Sequence, residues 1–584
     1  MRTSINRLAW ASILVALVIA GSVTAQQQPA GRAITGRVIN HNGQPLADRR
    51  VVMSKVGGGL GNSRETVTND AGEFRFDNLS HGFYMLFAQG HMDGGQQKFY
   101  RPGDSVTLRV KKGCVITGTV TDSTGEPVIA AYVRLIRVRD ENGRRIYYSG
   151  FYGHQQRENL TDDRGVYRFW GLAPGSYLAS VGGKKSNRGD RTLYAAEDDA
   201  PTYHPSAATA EAAAEVTVHD GQEATGVDIR HRSESGYAIR GRVSGLVARG
   251  SEEEGVAIIL QQAATGALVD MTSFRATGGS SGFVFEGIAD GEYDLTAYHF
   301  TVANAKAPLP DINAASPDRR VIVKSKDVMG VELNLVPLGS IEGRIAVEAG
   351  PRPRCQSGRN ARLDETIIIV NSEGAELSPI SFTPFMSNVR GLTLVPDQRG
   401  DFTIRSIRAG RYRIEPKPPG EDWYISSIKI SGPAQARPVD AGRDGVAVKS
   451  GERITGLTIS MQEGAASLRG RVVMAEVNAT LPARLLVHLV PAERQQSDDA
   501  LRFAEAAVEG DGSFLLANIA PGRYWLLARL ADDLRDDLIR PLAWDRQSRA
   551  KLASEAAAAN NSIELQPCQR TTNHMLRYAP LATK

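Results

Sequence analysis

One spacing occurs five times in this 584-residue chain and fixes most of what it can fold into. An aromatic is followed by an aliphatic five residues on, a glycine eight on and an aromatic ten on. The sets are Phe74, Leu79, Gly82 and Tyr84; Tyr167, Leu172, Gly175 and Tyr177; Phe283, Ile288, Gly291 and Tyr293; Phe402, Ile407, Gly410 and Tyr412; and Phe514, Ile519, Gly522 and Tyr524. A spacing kept five times without slippage marks a tandem array of similar small units. The recurring rings and glycines are therefore read as interior architecture and not as chemistry.

The residues around the anchors follow an all-β grammar. In copy one, Ile34-Thr35-Gly36-Arg37-Val38 alternates as a strand. Asn42-Gly43-Gln44-Pro45 then makes a turn, because asparagine and glycine accept positive φ and proline presets its own. Phe74-Arg75-Phe76 alternates apolar and charged, as a strand with one buried face does. Gly118, Gly241, Gly343 and Gly470 open the other copies in the same way. A closing motif of alternating valines, a hairpin glycine and an aliphatic strand recurs at Val216–Ile229, Val321–Leu333 and Val446–Ile459.

About seven short strands per copy predict a small antiparallel β-sandwich. The expected fold is an all-β tandem array of five such units, at 31–112, 113–236, 237–338, 339–465 and 466–584, strung as an extended rod. Copy two carries an insert, Arg188 to Pro205, and copy four has its extra length between core strands. In the last copy Asp532 to Ala559 reads as a helical insertion broken at Pro541, with Ile563-Glu564-Leu565 as a closing strand.

The first 25 residues read as a cleaved export signal. Arg2 and Arg7 precede the apolar run Leu8–Ala20, and Val23-Thr24-Ala25 offers a small-residue cleavage site. No other segment is long and apolar enough to span a membrane, so the mature chain is expected in the periplasm or outside the cell. Net charge is +4, and two of those charges leave with the signal. That balance demands no basic nucleic-acid face. Three cysteines leave at least one unpaired, and the positions of Cys114, Cys355 and Cys568 fix no pairing. Cys114, beside a strand, is expected to be a buried thiol.

The Gly-Arg-Val opening, the Gly-Gln/Glu-Pro turn, the Asp-x-Gly-x-Phe/Tyr strand and the Leu/Ile-x-x-Gly-x-Tyr corner resemble the carboxypeptidase regulatory-like domain. The match is plain at Asp70-Ala71-Gly72-Glu73-Phe74 and Asp163-Arg164-Gly165-Val166-Tyr167; copy four departs by an extra residue, Asp397-Gln398-Arg399-Gly400. The resemblance implies a transthyretin-like, carbohydrate-binding-like fold, as in exported multi-repeat proteins of soil bacteria such as acidobacteria. It implies a sugar- or protein-binding role and no reaction.

Catalytic signatures are sparse. A zinc peptidase site needs His-x-x-Glu with a third, distant histidine. The one such spacing, His231 to Glu234, falls in a polar joint and is read as chance. No nucleophile elbow, phosphate loop or dinucleotide fingerprint stands in a strand-turn-helix context. Arg188-Gly189-Asp190 reads as a solvated turn, and Asp162-Asp163 and Asp198-Asp199 as turn formers instead of calcium ligands. The opening strands also lack the lysine that an isopeptide crosslink requires.

The remaining clue is aromatic. Tyr147, Tyr148, Phe151 and Tyr152 cluster in copy two, with Tyr203 and His204 in its later loop. Such rings can stack on sugars or anchor a protein partner. Trp170 and Trp423 are assigned to the core or its rim. The expectation is a non-enzymatic exported binding or scaffold protein of the cell envelope, without cofactor or metal. Its partner would be a protein or a polysaccharide. The alternatives are a carbohydrate-binding array serving a separate hydrolase, and an unrecognised hydrolase.

Overall fold

The computed structural model describes residues 33–579 except 41, 57–62, 89–90, 93–98, 142, 144–155, 184–194, 197–198, 247–253, 276–278, 302–310, 349–354, 356–361, 374–391, 433–436, 477–480, 483–484, 510 and 531–544. The export signal therefore lies outside the described residues.

The described chain is almost entirely strand, and each copy contributes two facing sheets. Copy five shows the plan most simply. Its opening strand (Ala466–Met474) lies between the anchor strand (Ser513–Ile519) and the closing strand (Arg570–Tyr578). The facing sheet runs in the order Ala504–Ala507, Leu485–Pro491, the corner strand Gly522–Leu530, and Ser562–Leu565. Five large buried clusters fill the spaces between such sheets, and each receives one set of anchors.

Two details differ from the sequence reading. The sandwiches are not purely antiparallel, because opening and closing strands pair parallel in all five copies. These are the first and last strands of a copy, and the rest of the copy supplies the long connection that parallel pairing needs. The glycine after the alternating valines is also not a hairpin. In copies two to four the valine strand pairs with the corner strand, while the strand after it pairs with the opening strand of the other sheet. That glycine therefore carries the chain from one sheet to the other.

Every anchor ring is buried, and the two rings of a set do different work. The first sits directly opposite the opening glycine in the strand ladder: Gly36 opposite Phe74, Gly118 opposite Tyr167, Gly241 opposite Phe283, Gly343 opposite Phe402 and Gly470 opposite Phe514. Having no side chain, each glycine gives the ring of its partner room to lie across the strand. The chain distance between the two varies from copy to copy, yet the pairing does not.

The second ring is always tyrosine, for a reason the fold makes plain. Its hydroxyl donates to the backbone carbonyl four residues earlier: Tyr84 to Ser80, Tyr177 to Ala173, Tyr293 to Ala289, Tyr412 to Arg408 and Tyr524 to Ala520, at 2.6–2.9 Å. This is a tyrosine corner, and it closes the connection between anchor and corner strands. The glycine between them adopts positive φ in four copies, at Gly82, Gly175, Gly291 and Gly522.

Burial also raises the phenol pKa, to about 12 for Tyr412 and Tyr524. For Tyr167 and Tyr293 the same cause pushes it higher still. An unfolded tyrosine ionises near pH 10. The fold thus favours the neutral phenol, and this contribution is complete below pH 10 and lost as pH rises towards 12. Thermal midpoints should hold steady to about pH 9 and fall between about pH 10 and 12. A midpoint unchanged across that window would contradict the assignment.

One further fixed position escaped the sequence reading. Four residues after the first ring, the backbone turns left-handed in every copy: Asn78, Gly171, Gly287, Ser406 and Asn518 have φ between 56° and 71°. In copies two to five the strand register shifts here, as at a β-bulge. Asparagine and glycine tolerate this conformation well, and serine tolerates it as a short polar side chain. The supposed extra residue in copy four is explained too. The turn before the anchor strand is capped by the residue five before the ring. Asn69, Asp162 and Asp397 each accept from two backbone N–H groups with Oδ1. Copy four is in register with the others; Asp70 and Asp163 are simply the residues after the cap.

The second and corner strands are apolar on both faces, as in Tyr84-Met85-Leu86-Phe87-Ala88 and Ile367-Ile368-Ile369-Val370, so each needs a cover outside the sandwich. In copy five the cover is a helix, Arg546–Ala559, whose Leu552 and Ala556 pack on Val490. Asp545 caps it by accepting from Ser548 N, and the rest of the expected helical stretch, 531–544, lies outside the described residues. In copy two Tyr203 and Ala210 cover Ile136, Val138 and Leu178, with Ala267 of copy three joining them. Copy one has no described cover of its own. Its Val56, Phe83 and Met85 pack against Ile367 of copy four. The chain therefore folds back on itself and is not the extended rod expected from tandem repeats.

Candidate functional site

Of the six residues expected to form a ligand-binding loop, Tyr147, Tyr148, Phe151 and Tyr152 lie outside the described residues. Tyr203 is not an exposed ring. It is 7% exposed, pairs in the strand Thr202–Tyr203 with Ser180 of the corner strand, and sits in the apolar layer between copies two and three. His204 is half-buried, with Nδ1 2.6 Å from the carbonyl oxygen of Asp228. The insert that carries both serves as a cover for the sheet, which is why its aromatic points inward.

The crevice beside Tyr203 encloses about 30 Å³ and is lined by Arg134, Ser180, Gln262 and Asp270 among others. That is room for a water and far below the roughly 300–1,000 Å³ of a small-molecule pocket. Tyr203 thus belongs to a joint between copies.

Trp170 departs from expectation in the opposite direction. It is 69% exposed, on the anchor strand Val166–Leu172, immediately before the bulge at Gly171. The bulge explains it, because the strand alternates inward at Tyr167, Phe169 and Leu172 and turns Trp170 outward. Asn159 Nδ2 donates to the carbonyl of Arg168 at 3.0 Å, which brings the strand Gln156–Leu160 alongside. Segment 144–155, with its four aromatics, enters that strand directly. Trp423 is buried, as expected.

His231 is buried between Asp199 and Thr202. Its Nε2 lies 2.8 Å from Asp199 Oδ2, and its Nδ1 lies 3.3 Å from Thr202 Oγ1. Glu234 instead pairs with Arg232, so His231 and Glu234 do not converge on one point. The histidine fastens the copy-two insert to the joint that leads into copy three; Ala200 N donating to the Glu234 carbonyl at 2.8 Å does the same. Asp162 forms its turn, as expected, while Asp198 and Arg188-Gly189-Asp190 lie outside the described residues.

The cysteines resolve into a bridge and a thiol. Cys355 of copy four and Cys568 of copy five form a disulfide across 213 residues of sequence. Cys114 is free and buried, its Sγ 3.0 Å from the carbonyl oxygen of His219, and burial pushes its pKa up. A thiol so placed is unreactive.

The joints between copies reuse the bulge. Ser406 Oγ donates to the Ile312 carbonyl of copy three at 2.8 Å, and Arg408 reaches Asp318 at 2.7 Å and the Tyr298 hydroxyl at 2.9 Å. Asn518 Nδ2 donates to the carbonyls of Gly420 and Trp423 in copy four, at 2.7 and 2.8 Å. Beside it Ala520 packs with Tyr424 and Ala465. No described helix is long and apolar enough to cross a membrane.

No family model matches the chain, and no curated protein does. Among solved structures it is similar to the Bacillus anthracis TIE protein, at 10% identity over 71% of this chain and 69% of that one, with a TM-score of 0.13. It is also similar to GBS52, the minor pilin of Streptococcus agalactiae, at 12% identity over 34% of this chain and 96% of that one, with a TM-score of 0.19. The shaft pilin SpaA of Lactobacillus rhamnosus GG matches at 10% identity over 35% and 98%, with a TM-score of 0.16. Scores this low carry no argument about fold or function.

Proposed function

We propose that this chain is a non-enzymatic, exported binding or scaffold protein of the cell envelope. It would comprise five sandwich units at 31–112, 113–236, 237–338, 339–465 and 466–584, released from a signal peptide at 1–25. The observation that carries this reading is the occupation of the repeated residues. The glycines, rings and caps constant across the copies fill interiors or satisfy backbone groups. The segments that vary lie between the core strands, where a rigid sandwich can present different loops to a partner. The Cys355–Cys568 bridge suits an oxidising compartment and so supports export. The likeness to the carboxypeptidase regulatory-like domain belongs to the same reading. The partner is a protein or a polysaccharide of the envelope.

Trp170 favours the carbohydrate-binding form of this proposal. A large, exposed ring on a rigid strand, beside the entry of a segment holding four more aromatics, is a stacking platform for a sugar ring. The test is glycan-array and envelope pull-down binding by the mature chain. Trp170→Ala, and separately Tyr147→Ala with Tyr148→Ala and Tyr152→Ala, should each lower binding by roughly tenfold or more. Binding unaltered by both would remove this face from the site. Retention on envelope protein with no glycan bound would favour the scaffold form.

A further inference from the structure

The contact between copies one and four differs in kind from the joints between chain neighbours. Copies two and three share an apolar layer around Tyr203, Ile136 and Ala267, and copies four and five share one around Tyr424 and Ala520. Copies three and four are joined by Arg408 on Asp318 and Tyr298. Between copies one and two the described residues show no apolar layer. The joint there is polar: Lys111 Nζ lies 2.8 Å from Glu141 Oε2, and Gly221 N donates to the Lys112 carbonyl at 3.1 Å. A largely exposed ion pair of this sort contributes about 1 kcal/mol at most.

What copy one lacks at its chain neighbour it has at copy four. Val56, Phe83 and Met85 are buried against Ile367, with Phe87, Phe99, Ile369 and Val395 at the margin. Arg101 lies over the Phe83 ring at 4.7 Å and donates to the backbone carbonyls of Pro418 and Pro419 in copy four. His81 Nδ1 stands 3.5 Å from Oε1 of Glu365, a carboxylate 1% exposed. None of these residues belongs to the interior of copy one, which is formed by Ile34, Val38, Met53, Phe74, Tyr84 and Leu108 among others. Copy one thus has a complete core without copy four, and its position is set through a separate outer face.

We propose that copy one is a hinged module: it pivots at Lys111–Lys112, and its docking on copy four closes the chain into a clasp. In the open form it stays folded and presents the Phe83–Met85 face, while copy four presents Ile367 and Ile369. Loop and sheet contacts within one chain behave as interfaces of moderate size, for which relative motion of the domains is the default.

The test uses the full mature chain, with spin labels on Thr107→Cys in copy one and Thr403→Cys in copy four. Both positions are exposed on strands away from the contact, and the native thiol Cys114 is buried. The parent should give one narrow distance distribution. Met85→Asp, which changes the outer face and leaves the core, should move it to longer and broader distances. Arg101→Ala, a milder change, should populate both forms. Calorimetry must show the transition of copy one retained in each variant. A narrow distribution in both variants would mean that the joint with copy two sets the position, and would overturn the proposal. Loss of the copy-one transition together with the contact would overturn it equally, because the module would then not be independent.

Discussion

Replacing Gly241 by alanine should destabilise copy three by roughly 3 kcal/mol or more, while the same change at Gly282 should have little effect. Both glycines lie in strands of one sheet, and Arg242, next to Gly241, is paired across the ladder with Gly282. A methyl group on Gly241 would fall 2.1 Å from the carbonyl oxygen of Val331 and 2.6 Å from Cζ of Phe283. The first is backbone of the parallel closing strand, and the second is a ring fixed in the core, so neither can yield cheaply. At Gly282 the nearest atom is 3.8 Å away, an ordinary contact. A transition lowered equally by Gly241→Ala and Gly282→Ala would show that only chain flexibility is at stake, and would remove the ring-over-glycine account. The corresponding methyl at Gly36, Gly118, Gly343 or Gly470 lies within 2.8 Å of a closing-strand carbonyl oxygen, so each copy should respond alike.

Opening the Cys355–Cys568 bridge should cost the last two copies about 2–4 kcal/mol while copies one to three keep their own transitions. The bridge spans 213 residues, so it removes much freedom from the unfolded forms of copies four and five. It also fastens a segment that has little other attachment among the described residues. Cys355 is flanked by 349–354 and 356–361, which lie outside them, and its N–H donates to Glu463 Oε1 at 3.0 Å. The joint keeps Asn518 on the carbonyls of Gly420 and Trp423, and Arg570 on Asp422, after reduction. Copies four and five should therefore stay associated, with a lower midpoint. Calorimetry with and without reductant, and on Cys355→Ser with Cys568→Ser, measures the difference. Equal midpoints would mean that the bridge is energetically idle.

The candidate site was less legible than the fold. Tyr203 reads in sequence as a loop aromatic beside a proline, but the outer face of its own sheet is apolar and draws the ring inward. Trp170 reads as a core residue, because the strand alternates through Tyr167 and Phe169; the left-handed bulge at Gly171 breaks the alternation. That bulge position is fixed in all five copies, yet asparagine, glycine and serine share a backbone conformation and not a side-chain type, so the repeat hides it. The turn cap of copy four was misplaced for a related reason: Asn69 and Asp397 do one job with different letters.

The amino-acid order alone determined the number of copies, the strands of each and the rings that would be buried, because inward-facing positions recur with the period of the backbone and tolerate little variation in volume. Only the tertiary structure decided which strands lie parallel, where the outer faces find cover, and that copy one returns to copy four. Those outcomes depend on two surfaces meeting across hundreds of residues of chain, and no local spacing records which apolar face will reach which.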